Sequence, residues 1–339
     1  MSFGDIKVTM LGYTGAGKTC YMAAMYAVMK LGISGFNFSE QDLDRDLHLT
    51  DEWDALIDQH VWPQPSDENA AKKPYKFKFT YGFKPVMNFE WLDYRGGALS
   101  DSSSQADVQT LRNHIQQSSC LLFCISAEDL ARPKMQRVRK SRADRMMSFV
   151  SDSIQPSENR PFPVVFVITK FDQYPEPNDA EGVVERIKEI FPTFWASPGW
   201  LTSVCPVSLG KGLHEDPANG EIDPVNVQMP VIFALFCQLY EEKIRREAQL
   251  SNLANHQSNL SRSYQDIQKL PWWKKRIINW SQSTDIEKNT QRQLDNAVRK
   301  AGSAKSEVDA LTDKLRLLSS DMMQKTFVFL NGEPIELEI

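Results

Sequence analysis

Gly12-Tyr13-Thr14-Gly15-Ala16-Gly17-Lys18-Thr19 directly follows the apolar run Ile6 to Leu11. The order fits G-x-x-x-x-G-K-S/T, and a short strand before it with a helix after it is the setting in which such a loop cradles phosphate. Glycines let successive backbone N–H groups converge on a phosphate without obstruction by a Cβ, and the helix N-terminus adds the positive end of its dipole. In that arrangement Lys18 reaches the β- and γ-phosphates, and the Thr19 hydroxyl ligates Mg²⁺. The phosphate-side candidates are therefore Gly12, Thr14, Gly15, Ala16, Gly17, Lys18, Thr19 and Cys20. The plain alternative is a glycine-rich turn that binds nothing, and the complete spacing argues against it.

Three more stretches could complete a site. Val86 to Leu92 reads as a strand ending in Asp93-Tyr94-Arg95-Gly96-Gly97. An acid at the C-terminal end of a strand beside a phosphate loop is where a Mg²⁺-organising carboxylate belongs, so Asp93 is the second metal candidate. Val164 to Ile168 is a continuous apolar run, typical of a central parallel strand covered on both faces, and it delivers Thr169-Lys170-Phe171-Asp172. Val204 to Val207 reads as a last strand, ending in Ser208-Leu209-Gly210-Lys211.

The elements that must position these residues alternate. A helix is expected over Cys20 to Leu31, with Met22, Met25, Tyr26 and Met29 on its core face. Asn37 to Lys73 is polar and acidic, with an amphipathic helix suggested by Trp53, Leu56, Ile57 and Val61, and its Trp62-Pro63-Gln64-Pro65-Ser66 segment forbids helix. Tyr75 to Tyr81 alternates as a half-exposed strand. Ser100 to Gln117 reads as a helix, Cys120 to Ile125 as a buried strand, Arg132 to Val150 as a basic helix with a solvated face, and Ala180 to Phe191 as a further helix. Alternating strands and helices predict a mostly parallel α/β sheet with right-handed crossovers and helices on both faces.

Beyond Tyr240 the pattern changes. Leu250, Leu253, Gln257, Leu260, Tyr264 and Ile267 keep a single heptad seam to about Gln268, and Pro271 breaks it. A second helix, about Asp285 to Met323, carries Leu294, Val298, Ala301, Val308, Leu311, Leu315, Leu318 and Met322. The expectation is a nucleotide-binding α/β domain over residues 1–240, an antiparallel helical hairpin or coiled-coil arm over 241–325 and a C-terminal β-hairpin over 326–339. Such an arm would project about 40 Å. Its tip, 271–280, sets Trp272, Trp273 and Trp280 beside three basic residues, a mix that suits a membrane headgroup surface or a protein hot spot, and equally a packing cap.

Bulk properties narrow the class. The chain has 339 residues, is 41% hydrophobic and 24% charged, and carries a formal charge of −5. That balance argues against nucleic acid as a partner. Five cysteines without a C-x-x-C pair read as reduced core thiols of a cytoplasmic protein, with neither a disulfide nor a zinc framework. The N-terminus reads as free of a signal peptide, and no apolar run reaches the length of a membrane span.

The ordered set Gly12–Thr19, Asp93-Tyr94-Arg95-Gly96, Thr169-Lys170-Phe171-Asp172 and Ser208-Leu209-Gly210 resembles the motif series of Ras-like, translation-factor-class P-loop GTPases. The Trp62-Pro63 element also resembles bacterial GTPases of the double-GTPase type. The resemblance covers residues 5 to about 240 and implies a Ras-like fold, GTP/GDP and Mg²⁺ as ligands, and a hydrolytic switch. By it, Asp172 accepts from guanine N1–H and N2–H₂, the Lys170 stem lies along the base, and Ser208 and Leu209 support guanine O6 through backbone N–H. It also implies a switch hydroxyl on Mg²⁺, for which Ser66 is preferred over Thr80.

Three departures bear on catalysis. The switch threonine has no certain match, Gly97 stands where the Ras-type pattern has a water-positioning glutamine, and Thr14 adds bulk near the approach of an arginine finger. Hydrolysis is then expected to be slow, with Lys18, Asp93, Gly96 and Arg95 as the catalytic candidates. Two functions follow: a GTP-hydrolysing switch read by a protein effector or regulator, or a GTP/GDP-dependent scaffold that assembles on protein or on a membrane surface through the tip, with a homodimer as a further association.

Overall fold

The structure is a computed structural model that describes residues 5–63, 74–93, 105–175, 180–213, 216, 219–268 and 280–337. The first half of the main unit contains β1 (Ile6–Leu11), α1 (Lys18–Leu31), β2 (Phe36–Glu40), α2 (Leu43–Gln59), β3 (Tyr75–Tyr81), β4 (Lys84–Asp93), α3 (Gln105–Gln117) and β5 (Cys120–Ser126). There follow α4 (Ala127–Leu130), α5 (Lys134–Ser141), α6 (Ala143–Ser153), β6 (Phe162–Thr169), a 3₁₀ turn (Phe171–Gln173), α7 (Ala180–Ile190), α8 (Thr193–Ala196), β7 (Trp200–Pro206), β8 (Ser208–Lys211) and β9 (Glu221–Val225). Two long helices, α9 (Met229–Gln268) and α10 (Trp280–Lys325), precede β10 (Phe327–Leu330) and β11 (Glu333–Pro334).

Nine strands form one sheet in the order β11-β10-β7-β6-β5-β1-β4-β3-β2. The central strands β4, β1, β5, β6 and β7 run parallel, and antiparallel pairs close both flanks. Every residue of β5 is buried, as expected of a strand covered on both faces. On one face, Leu121, Phe123 and Ile125 of β5 and Val164, Phe166 and Ile168 of β6 pack with Leu111, Ile115, Met146, Val150, Val183 and Ile187 from the helices. The fold is thus α/β, with a large mostly parallel sheet, a long helical hairpin and a C-terminal β-hairpin. That last hairpin, marginal by itself, joins the main sheet through Phe327↔Val204 to Leu330↔Leu201.

Several boundaries differ from expectation. Phe36–Glu40 is a strand, with Phe36, Phe38 and Glu40 buried, where the sequence reads as the start of a polar stretch. The expected basic helix of 132–150 is two helices, because Arg142 takes a left-handed conformation (φ 56°) between them. Its charge run is not uniformly solvated either. Arg137 is buried, donating to Glu189 Oε2 at 2.7 Å and to the Arg132 and Arg186 carbonyls. Ser208–Lys211 is a strand, not a loop end, and pairs with β9 in a separate two-stranded ribbon.

The chain divides into two compact units, Met1–Gln238 with Leu318–Glu338, and Leu239–Leu317. In the second unit Glu242 is buried and accepts from Arg245 and Arg246, while Arg246 Nη1 donates to Glu307 Oε2 at 2.6 Å. That pair joins α9 to α10 at one register, the use for which buried polar layers in coiled coils are best attested. The seam of α10 runs through buried Ala297, Val308, Leu311 and Leu315, whereas Val298, expected in the seam, is 48% exposed. Three of the five cysteines (Cys120, Cys124, Cys205) are buried, and all five are free thiols. Among the described residues no helix is long and apolar enough to cross a membrane.

Candidate nucleotide site

Register alone brings the candidate residues to one edge of the sheet. Met10 pairs with Asp93, Leu11 with Phe123, Ser126 with Thr169, and Ile168 with Pro206. The loop after β1, the end of β4, the end of β6 and the turn after β7 therefore share the carboxyl edge, where ligands bind in open α/β sheets.

The loop has the backbone that its glycines allow. Gly15 and Gly17 take φ of 91° and 83°, and Gly17 closes the loop as the residue before α1. At Gly12 the constraint is space, since a Cβ would stand 2.8 Å from the Cys124 carbonyl oxygen and 3.3 Å from Lys18 Cδ. Lys18 is buried and donates to the carbonyls of Gly12 (2.9 Å) and Tyr13 (3.0 Å). An ammonium has three donors, so this geometry leaves capacity for an anion. Ala16 N–H closes a turn onto the Tyr13 carbonyl at 3.3 Å, and Thr14 and Gly15 face solvent.

Side chains of neighbouring strands hold the loop from below. Thr169 Oγ1 donates to the Ala16 carbonyl at 2.7 Å and lies 3.2 Å from the Ile125 carbonyl, and the Cys124 thiol donates to Ala16 at 3.1 Å. Thr169, proposed from sequence to belong to the base site, is thus also a prop of the phosphate loop. Tyr13 donates its hydroxyl to Asp129, a contact between residues far apart in the chain that no local spacing signals.

No protein-family model and no curated protein matches this chain. Among solved structures, the crystal structure of sup35 complexed with GDP is similar at a TM-score of 0.32 and 12% identity, over 65% of this chain and 38% of that one. The chain spans well under half the length of that structure.

On the base side, Lys170 sits in a left-handed conformation (φ 54°), which turns the chain sharply into Phe171–Gln173. Asp172 is exposed, and its Oδ1 accepts from the Ser208 hydroxyl at 2.7 Å. Ser208 Oγ also lies 2.7 Å from the Gly210 carbonyl, a second acceptor for its one proton, and accepts from the Gly210 N–H at 3.1 Å. This side-chain bond to Asp172 is separate from the backbone N–H that the resemblance implies for Ser208. Leu209 follows in β8, half-buried. Cys20, in the first turn of α1, is pushed up to about 11 by burial and by the nearby Glu52 carboxylate, with Lys170 acting in the opposite sense.

Thr19 lies in the first turn of α1 and Asp93 ends β4, so both residues stand at this edge. Thr80 does not join them. It pairs with Pro85 at the other end of β4, about 26 Å along the strand from Asp93. Ser66, Arg95, Gly96, Gly97, Trp272 and Trp273 lie outside the described residues, as does the side chain of Trp280, whose backbone begins α10.

Proposed function

We propose that this chain is a guanine-nucleotide-binding protein that holds GTP or GDP at the carboxyl edge of its sheet and hydrolyses GTP slowly. The observation that carries the reading is the pairing, at one edge, of a glycine-shaped anion loop over Lys18 with the Asp172 carboxylate oriented by Ser208. In this reading the backbone N–H groups of 14–19 and the Lys18 ammonium bind the phosphates. Asp172 accepts from guanine N1–H and N2–H₂, and an adenine, offering an acceptor at that position, is rejected because the carboxylate would face it unpaired. Lys170 covers the base, and Leu209 lies beside it.

Thr19 and Asp93 would hold Mg²⁺, with Ser66 as the third oxygen. A bound Mg²⁺ neutralises charge developing on the phosphates. Lys18 adds fixed positive charge there, and Arg95 is the internal group available to supplement it. Residues 1–240 form the nucleotide domain and 241–325 an arm that relays the nucleotide state to a protein partner.

A second reading is favoured by Gly97, which stands where a water-positioning side chain is needed: a scaffold that binds GTP or GDP and assembles, through Trp272, Trp273 and Trp280, on a protein or membrane surface. Single-turnover GTP hydrolysis with and without phospholipid vesicles separates the two. Phosphate release above the uncatalysed background supports the slow GTPase; tight GTP binding with no release in either condition selects the scaffold.

A further inference from the structure

Tyr13 occupies a variable position of the loop, yet it is the residue on which the loop's internal bonds converge. Its carbonyl accepts from Ala16 N–H at 3.3 Å and from Lys18 Nζ at 3.0 Å. Its side chain leaves the loop and donates a hydrogen bond to Asp129 of α4. Asp129 is 6% exposed, so its carboxylate must find strong donors within the protein. Among the described residues it has two, the Tyr13 hydroxyl and Arg132 Nε at 3.0 Å. The Arg132 backbone is itself fixed, because its carbonyl accepts from Arg137 Nε at 3.2 Å and Nη2 at 3.1 Å, and Arg137 is anchored on Glu189.

We propose that Tyr13 is a positioning residue for the phosphate site: tied to Asp129, it fixes the carbonyl that holds Lys18 and so aims the Lys18 ammonium at the β-phosphate. The tether holds Tyr13, while Thr169 and Cys124 hold Ala16. With both points held, the loop keeps its anion-binding shape before ligand arrives and loses little entropy on binding. The role rests on the nucleotide reading above and adds to it a residue that the phosphate-loop pattern leaves free.

The test compares a ligand that has a β-phosphate with one that lacks it. Affinities for GDP and GMP, each with Mg²⁺, are measured for the unmodified chain, Tyr13→Phe, Asp129→Asn and the double variant. Tyr13→Phe keeps the ring and should lower GDP affinity about tenfold through faster dissociation, with GMP affinity unchanged. Asp129→Asn leaves the Tyr13 hydroxyl a weaker, neutral acceptor and should act in the same direction by less, and the double variant should lose no more than Tyr13→Phe alone, since both changes act on one tether. Equal loss for GDP and GMP would mean a general loosening of the fold and would overturn the role. GDP affinity unchanged in Tyr13→Phe would overturn it too, while leaving the nucleotide assignment intact. Absence of GDP binding by the unmodified chain would instead remove the assignment itself, and the tether's role with it.

Discussion

Thr169 Oγ1 stands 2.7 Å from the Ala16 carbonyl, so the end of β6 and the loop after β1 are joined by one hydroxyl. Thr169 is followed at once by the residues that face the candidate base site, and Ala16 lies within the candidate phosphate site. A single bond thereby ties the candidate base site to the candidate phosphate site.

Replacing Thr169 by Val keeps the shape and removes that bond, leaving Ala16 to the weaker Cys124 thiol. A net hydrogen bond is worth about 1 kcal/mol, so GDP affinity should fall about fivefold. Calorimetric titration of the variant checks it, and an unchanged Kd would show that the hydroxyl does not set the site.

Asp172→Asn exchanges one acceptor for a donor. Guanine presents two donors to this group, whereas xanthine presents a donor and an acceptor. The variant should therefore lose GDP affinity on the order of hundredfold and gain xanthosine diphosphate binding. Competition between the two nucleotides reads the swap; GDP preference retained at full strength would remove Asp172 from base recognition.

His114 gives the fold a pH dependence. Burial holds its imidazole below the ordinary range, with Glu90 opposing and Lys7 reinforcing. Between that lowered value and about 6.5, the unfolded chain binds a proton that the folded chain does not, so stability falls as pH drops through the window and is retained above it. His114→Gln should therefore show a smaller loss of melting temperature on going from about pH 7.5 to about pH 5.5 than the unmodified protein. Parallel losses in both would exclude His114 as the source.

Much of the site is legible in the sequence because backbone demands fix its spacing. Gly12, Gly15 and Gly17 are dictated by a close approach and two positive φ angles, and an apolar run predicts the strand that delivers Thr169 and Asp172. What escapes is set by distant contacts. Tyr13 and Asp129 are separated by 116 positions, and the Ser208 hydroxyl meets Asp172 only because β7 returns beside β6. β2 is hidden because its alternation spans only Phe36 to Glu40 and leads into the acidic α2. The break at Arg142 has no glycine or proline to announce it, and the burial of Arg137 depends on Glu189, 52 positions away. In α10 the packing selects Ala297 over its larger neighbour Val298, so a count of bulky apolar residues misplaces the seam.

The central claim is guanine nucleotide binding through Lys18. It is tested most directly by thermal unfolding of the unmodified chain and of Lys18→Ala with GDP or ADP, each with Mg²⁺. At about a hundredfold excess over Kd, GDP should add about 2.7 kcal/mol of stability and raise the melting temperature by about 4 °C. ADP should leave it unchanged, and Lys18→Ala should lose the GDP effect. Equal stabilisation by GDP and ADP, or full stabilisation of Lys18→Ala by GDP, would contradict the account.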